Sequence, residues 1–127
     1  MENIIIHTEP STPYIPEILF DADKGICDLS GESYMEETYK FYLPLIEWIH
    51  KYFIDHQTLV FNFKFIYFNT STSRIIIDLL VMIKEYISKG NQITVNWYYN
   101  EDDPDMKDEI QDFIEETGIN IIIIKIN

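Results

Sequence analysis

Apolar residues recur along this chain in two rhythms, and the switches between them mark out its elements. Ile4-Ile5-Ile6 reads as a short first strand, closed by the polar, proline-containing stretch Thr8 to Pro13. Ile15 to Phe20 and Gly25 to Leu29 read as two further strands, joined by Asp21-Ala22-Asp23-Lys24-Gly25, whose Asp and Gly residues suit a tight turn. Antiparallel hairpin pairing is expected there. From about Glu36 to Asp55 the period becomes helical, with Tyr42, Leu45, Ile46, Ile49, Tyr52 and Phe53 forming one broad apolar stripe. Pro44 interrupts it by removing a backbone donor and crowding the carbonyl four residues earlier. One long helix kinked at that proline is expected, rather than a regular helix beginning near Leu43.

Leu59, Phe61, Phe63, Phe65 and Tyr67 then alternate with Val60, Asn62, Lys64, Ile66 and Phe68, the period of two that marks a strand. Asn62 and Lys64 predict that its second face is wet in the middle, so that helices cover one side of the sheet only. A helix follows over roughly Ser73 to Lys89 and stops at Gly90, a residue suited to a left-handed C-terminal cap. Gln92 to Tyr99 alternates again, with Ile93, Val95, Trp97 and Tyr99 on one face. A third helix spans about Pro104 to Thr117, with Met106, Ile110, Phe113 and Ile114 inward, and Gly118 ends it. Ile119 to Ile126 is an apolar last strand, expected to be buried on both faces or to lie against neighbours. The order β-β-β-α-β-α-β-α-β, alternating in its second half, predicts an α/β fold: a mixed sheet with helices mainly on one face.

Composition narrows the function classes. At 127 residues, 46% of them hydrophobic, residues 1–127 are expected to form a single domain with one core. The net charge of −13, with Arg74 the only arginine among 9 basic residues, argues against nucleic acid and against an anionic membrane surface. No leader and no membrane-length apolar run is evident, so no membrane insertion and a cytoplasmic location are expected. Cys27, the only cysteine, excludes an intrachain disulfide and reads as a core or half-buried residue.

Catalytic patterns are missing. His7, His50 and His56 have no metal-binding spacing, the four glycines form no phosphate loop, and no nucleophile elbow is present. The run Glu101-Asp102-Asp103-Pro104-Asp105 lacks the glycine and the length of an EF-hand loop. It reads first as a solvated turn into a helix whose positive end favours carboxylates. A non-enzymatic protein is therefore expected, with no catalytic residue, metal or cofactor. Two other readings stay open. One is a small acidic ligand- or cation-binding domain that uses the acidic loop and Trp97-Tyr98-Tyr99. The other is a structural oligomerisation domain.

The segment with most potential is Asn69-Thr70-Ser71-Thr72-Ser73, small polar residues between an apolar strand and a helix. Capping the helix requires only one of them. The remaining hydroxyls are expected to be exposed at the strand-to-helix corner. A phosphate there would meet free amides and the positive end of the helix dipole, and Arg74 could pair with it.

Several separate stretches resemble one family in order along the chain: Ser11-Thr12-Pro13, Gly31-Glu32-Ser33-Tyr34, Phe61 to Thr72 with its Tyr67-Phe68-Asn69-Thr70-Ser71 core, and Val95-Asn96-Trp97-Tyr98-Tyr99. In these the chain resembles the SiaC family of bacterial regulatory phosphoproteins. The resemblance implies a fold similar to anti-sigma-factor antagonists (STAS-like) and a phosphorylation site at Thr70. It also implies a serine/threonine kinase, a metal-dependent, PP2C-type phosphatase, and a diguanylate cyclase or other output protein bound by the unphosphorylated form. Biofilm formation under cyclic di-GMP control would be the outcome. Asn69, Ser71, Thr72, Ser73, Arg74, Glu32, Tyr34, Trp97 and Tyr99 are the candidate contacts for the partner or the kinase. Met35-Glu36-Glu37 departs from the Pro-Glu-Asn that often follows the family's Gly-Glu-Ser-Tyr motif.

Overall fold

The computed structural model describes residues 1–127. Its elements run β1 (Ile4–Ile6), β2 (Glu17–Asp21), β3 (Ile26–Ser33), α1 (Thr38–Asp55), β4 (Thr58–Phe68), α2 (Thr70–Ser88), β5 (Gln92–Asn100), α3 (Pro104–Thr117) and β6 (Ile122–Ile126). The order is the expected one. All six strands join one sheet in chain order. β1 to β3 pair antiparallel, as short connections allow, while β3 to β6 pair parallel across connections long enough to hold a helix. When parallel strands are added in sequence by right-handed crossovers, every helix lands on the same face. Accordingly α1 packs on α2 and α2 on α3.

Leu59, Phe61, Phe63 and Phe65 of β4 face those helices and are buried, as are Val95 and Trp97 of β5. The opposite face carries the polar residues. Asn62 donates to Asp28 at 2.7 Å, and Asn96 donates to Asn62 at 3.0 Å, a side-chain ladder across three strands. Lys64 lies over the Tyr98 ring on the same face. That wet face is what Asn62 and Lys64 foretold.

Three features depart from the sequence pattern. β6 is an edge strand with Ile122 and Ile126 nearly half exposed, not a strand buried on both faces; the buried Ile119 and Ile121 precede it. In β4 the alternation breaks at its end. Gly31 pairs with Phe65 and Glu32 with Tyr67, so Ile66 has no partner on β3 and the phase slips. Tyr67 therefore turns outward and Phe68 turns into the core. α1 follows the expectation instead: it is one long helix that begins at Thr38, well before Leu43, and runs through Pro44. Pro44 and Lys40, whose carbonyl loses its donor, are both exposed, so water can serve that carbonyl. Finally, α2 begins at Thr70 rather than Ser73, which decides the geometry of the site.

Candidate functional site

The four amides that open a helix have no partner within it. At α2 two are taken up locally: Asn69 N–H donates to the Ser33 carbonyl at 3.1 Å, and Thr72 N–H to the Asn69 side chain at 2.9 Å. The amides of Thr70 and Ser71 have no partner among the cap and loop hydrogen bonds. Asn69 is thus the N-cap, half-buried and extended in backbone, and Thr70 is the first helical residue. Both Thr70 and Ser71 are exposed, and Ser73 is half-buried.

Thr72 is different. It is fully buried, contrary to its reading as a contact residue. Its hydroxyl donates to the Ser33 carbonyl at 3.1 Å and shares a 2.8 Å hydrogen bond with the Ser33 hydroxyl. The Ser33 hydroxyl in turn shares a 2.7 Å bond with Tyr42. One proton arrangement satisfies every oxygen: Tyr42 donates to Ser33, Ser33 to Thr72, and Thr72 to the backbone. Burial pushes the Tyr42 hydroxyl well above its ordinary pKa, more than the Ser33 bond lowers it. The network ties the end of β3, the first half of α1 and the first turn of α2 together beneath Thr70.

Above it lies an open groove of about 760 Å³, where Thr70, Ser71 and Arg74 of α2 face Glu36, Glu37, Tyr39 and Lys40. Beside it run three partly exposed tyrosines in edge-to-face contact. Tyr14 and Tyr34 have ring centroids 6.1 Å apart, and Tyr34 and Tyr67 5.8 Å. Tyr34 N–H also donates to the Tyr14 carbonyl. Glu32, half-buried, sits opposite Tyr67 in the β3–β4 register. The loop after Ser11-Thr12-Pro13, the end of β3 and the β4–α2 corner, remote in sequence, thus meet at one end of the sheet. Tyr14, Tyr39 and Lys40 belong to this surface and were not singled out from sequence. For Tyr14 the only available signal was its place directly after Ser11-Thr12-Pro13.

Trp97 and Tyr99 do not belong to it. Trp97 is completely buried, stacked between Phe63 and Phe113, and Tyr99 is buried beside it on the same strand face. They alternate with Asn96 and Tyr98 of the wet face, so both side chains fall on the helix-covered side of β5. This correction also removes them from any ligand-binding reading of Trp97-Tyr98-Tyr99. In the acidic turn, Asp103 caps α3 by accepting from Met106 N–H at 3.2 Å, and Asn100 accepts from Asp102 N–H at 2.9 Å. No three His, Cys, Asp or Glu side chains are grouped to hold a metal. The histidines are dispersed: His7 lies against Glu17, His50 against Tyr86 and His56 against Asp55. Cys27 is buried, and desolvation lifts its thiol pKa well above the ordinary range, with Asp28 adding to the rise. No helix is long and apolar enough to cross a membrane.

Comparison with known proteins gives consistent relatives. An uncharacterised protein of Pseudomonas aeruginosa strain UCBPP-PA14 is 26% identical over 115 residues, which span 90% of this chain and 91% of that protein. Among solved structures, apo-SiaC of Pseudomonas aeruginosa superposes with a TM-score of 0.87 at 25% identity, covering 98% of this chain and 99% of SiaC. The SiaC in the crystal structure of the diguanylate cyclase SiaD in complex with its activator SiaC matches in fold, with a TM-score of 0.86, 24% identity, and 99% and 100% coverage. The sequence profile of the "SiaC family regulatory phosphoprotein" matches residues 9–126. With nearly the whole chain matched in sequence and in fold, this protein belongs to the SiaC family of regulatory phosphoproteins.

Proposed function

We propose that this protein is a partner-switching regulator controlled by one phosphate on Thr70. The observation that carries the reading is the exposed position of Thr70 as first residue of α2, above a fully satisfied buried network. A kinase would transfer the γ-phosphoryl group of ATP to Thr70 Oγ1, releasing ADP and the hydroxyl proton. The product adds about −1.5 to −2 charge and three acceptors. Those acceptors lie within reach of the Thr70 and Ser71 amides, at the positive end of the α2 dipole. Nothing buried has to move for this to happen. The surface changes while the core keeps its packing.

On this reading the unphosphorylated form binds and activates a diguanylate cyclase, as SiaC is the activator of SiaD in Pseudomonas aeruginosa. Phosphorylation by a serine/threonine kinase releases it, and a metal-dependent, PP2C-type phosphatase restores it. The protein is regulatory rather than catalytic and acts in the cytoplasm. Incubation with the cognate kinase and ATP adds a single phosphate, located at Thr70 by mass spectrometry and abolished in Thr70→Ala. A phosphate found only elsewhere overturns the assignment. Thr70→Glu weakens binding of the cyclase while leaving unfolding stability within about 1 kcal/mol, as for other exposed substitutions.

A further inference from the structure

We propose, building on that reading, that Arg74 is the groove's anchor for a carboxylate of the partner protein. Phosphothreonine at position 70 then switches the protein off by capturing the same guanidinium from within the chain. The first support is an anomaly of charge. The chain holds 22 acidic residues and a single arginine, yet Arg74 takes part in no ion pair and no hydrogen bond. The groove's other cation, Lys40, already lies 3.5 Å from Glu37. Arg74 is therefore the one uncommitted cation in a groove otherwise rimmed by Glu36 and Glu37. A planar guanidinium with five donors binds a carboxylate through two parallel hydrogen bonds. Exposed Tyr39 and the edge of Ile75 in the same groove offer apolar contact beside it. The occupant that fits is a protein segment with an Asp or Glu next to an apolar side chain.

The second support is spacing. Residues four apart on a helix lie on one face, with Cβ atoms about 5–6 Å apart, and both Thr70 and Arg74 line this groove. A phosphate on Thr70 would hold two charges next to Arg74 without any association step, whereas the partner must bring its carboxylate from solution. The alternative occupant, a basic segment, would bind the phosphorylated face more tightly, which is the reverse of release. An acidic segment gives the right sign.

The test uses the full chain with phosphothreonine introduced at position 70 during translation, so that no kinase is needed. In ³¹P NMR titrations, the second ionisation of the phosphate should fall about half a pH unit lower in the otherwise unmodified chain than in Arg74→Ala. Arg74→Lys should lie between, because an ammonium supplies charge without the planar fork. In binding to the diguanylate cyclase of the same cell, Arg74→Ala should weaken the unphosphorylated protein by about 10–100-fold. Phosphate should then cost Arg74→Ala little more. Coincident titration curves, unchanged affinity in Arg74→Ala, or a full further loss on its phosphorylation each overturn the proposal. If the cyclase binds neither form of the parent protein, the switch reading above fails, and the phosphate titration still decides whether Arg74 holds the phosphate.

Discussion

Removing the Ser33 hydroxyl should be among the most damaging single-atom changes this protein can suffer. Ser33 is completely buried, and its Oγ is the only partner of the Tyr42 hydroxyl. In Ser33→Ala the Thr72 hydroxyl keeps its bond to the Ser33 carbonyl, which belongs to the backbone and survives. Tyr42 is left with a buried, unpaired hydroxyl. Leaving such a group unsatisfied costs about 1–3 kcal/mol, and the lost Ser33–Thr72 bond adds roughly 0.5–1 kcal/mol. The expected loss is about 2–3 kcal/mol, which for a chain of this size lowers the thermal midpoint by roughly 6–12 °C. Tyr42→Phe alone should cost about 1 kcal/mol, because Ser33 and Thr72 still satisfy each other. The double variant should cost no more than Ser33→Ala, since deleting the orphan hydroxyl removes the main penalty. Urea denaturation of the four proteins measures this cycle. A Ser33→Ala loss under about 0.5 kcal/mol, or strict additivity in the double variant, refutes the argument.

Two further outcomes test the same framework. Asn69→Ala removes the only side chain that caps α2 and should lower stability by about 1 kcal/mol in urea titrations, whereas Asn69→Ser should retain most of it. Cys27, buried and with its thiol pKa pushed up, should resist a disulfide exchange reagent at pH 8 in the native protein and react fully in denaturant; rapid native labelling would refute its burial within β3.

Most of the architecture was legible because it rests on periodicity. The two-residue rhythm of β4 and β5 and the helical stripes of α1 and α3 each report which side faces the core. Asn62 and Lys64 told correctly that one sheet face stays wet. What failed was local. The slip at Ile66 depends on the pairing of β4 with β3, near Gly31 at φ +86°, and no property of β4 alone reveals it. β6 reads as a strand buried on both faces or lying against neighbours, yet it is the sheet's last strand, and only the topology says that nothing lies beyond it. Trp97 and Tyr99 were placed by alternation on one face with Ile93 and Val95 and were also named as contacts; that shared face is the buried one, so the contact reading fails. Tyr34 was named as a contact, but its grouping with Tyr14 and Tyr67 was not legible, because the three come from segments that only the folded sheet brings together.

The start of α2 carries the largest functional consequence. Serines and threonines compete with helix backbone bonds through their own side chains, so the run Asn69 to Ser73 reads as a loop before a helix. Once Asn69 caps the helix, those residues are already helical, and a helix turns by about 100° per residue. Thr70 and Thr72 then point about 160° apart, one to the groove with Arg74, the other to Ser33 and the core. Two chemically identical hydroxyls are thereby sorted, one exposed at the groove and one holding the floor beneath it. On the proposed reading, a kinase acting on the folded protein would modify Thr70 without touching the network, whereas phosphate on Thr72 would require the corner to unfold first. Helix phase, set by one asparagine, decides which threonine the proposed switch can use.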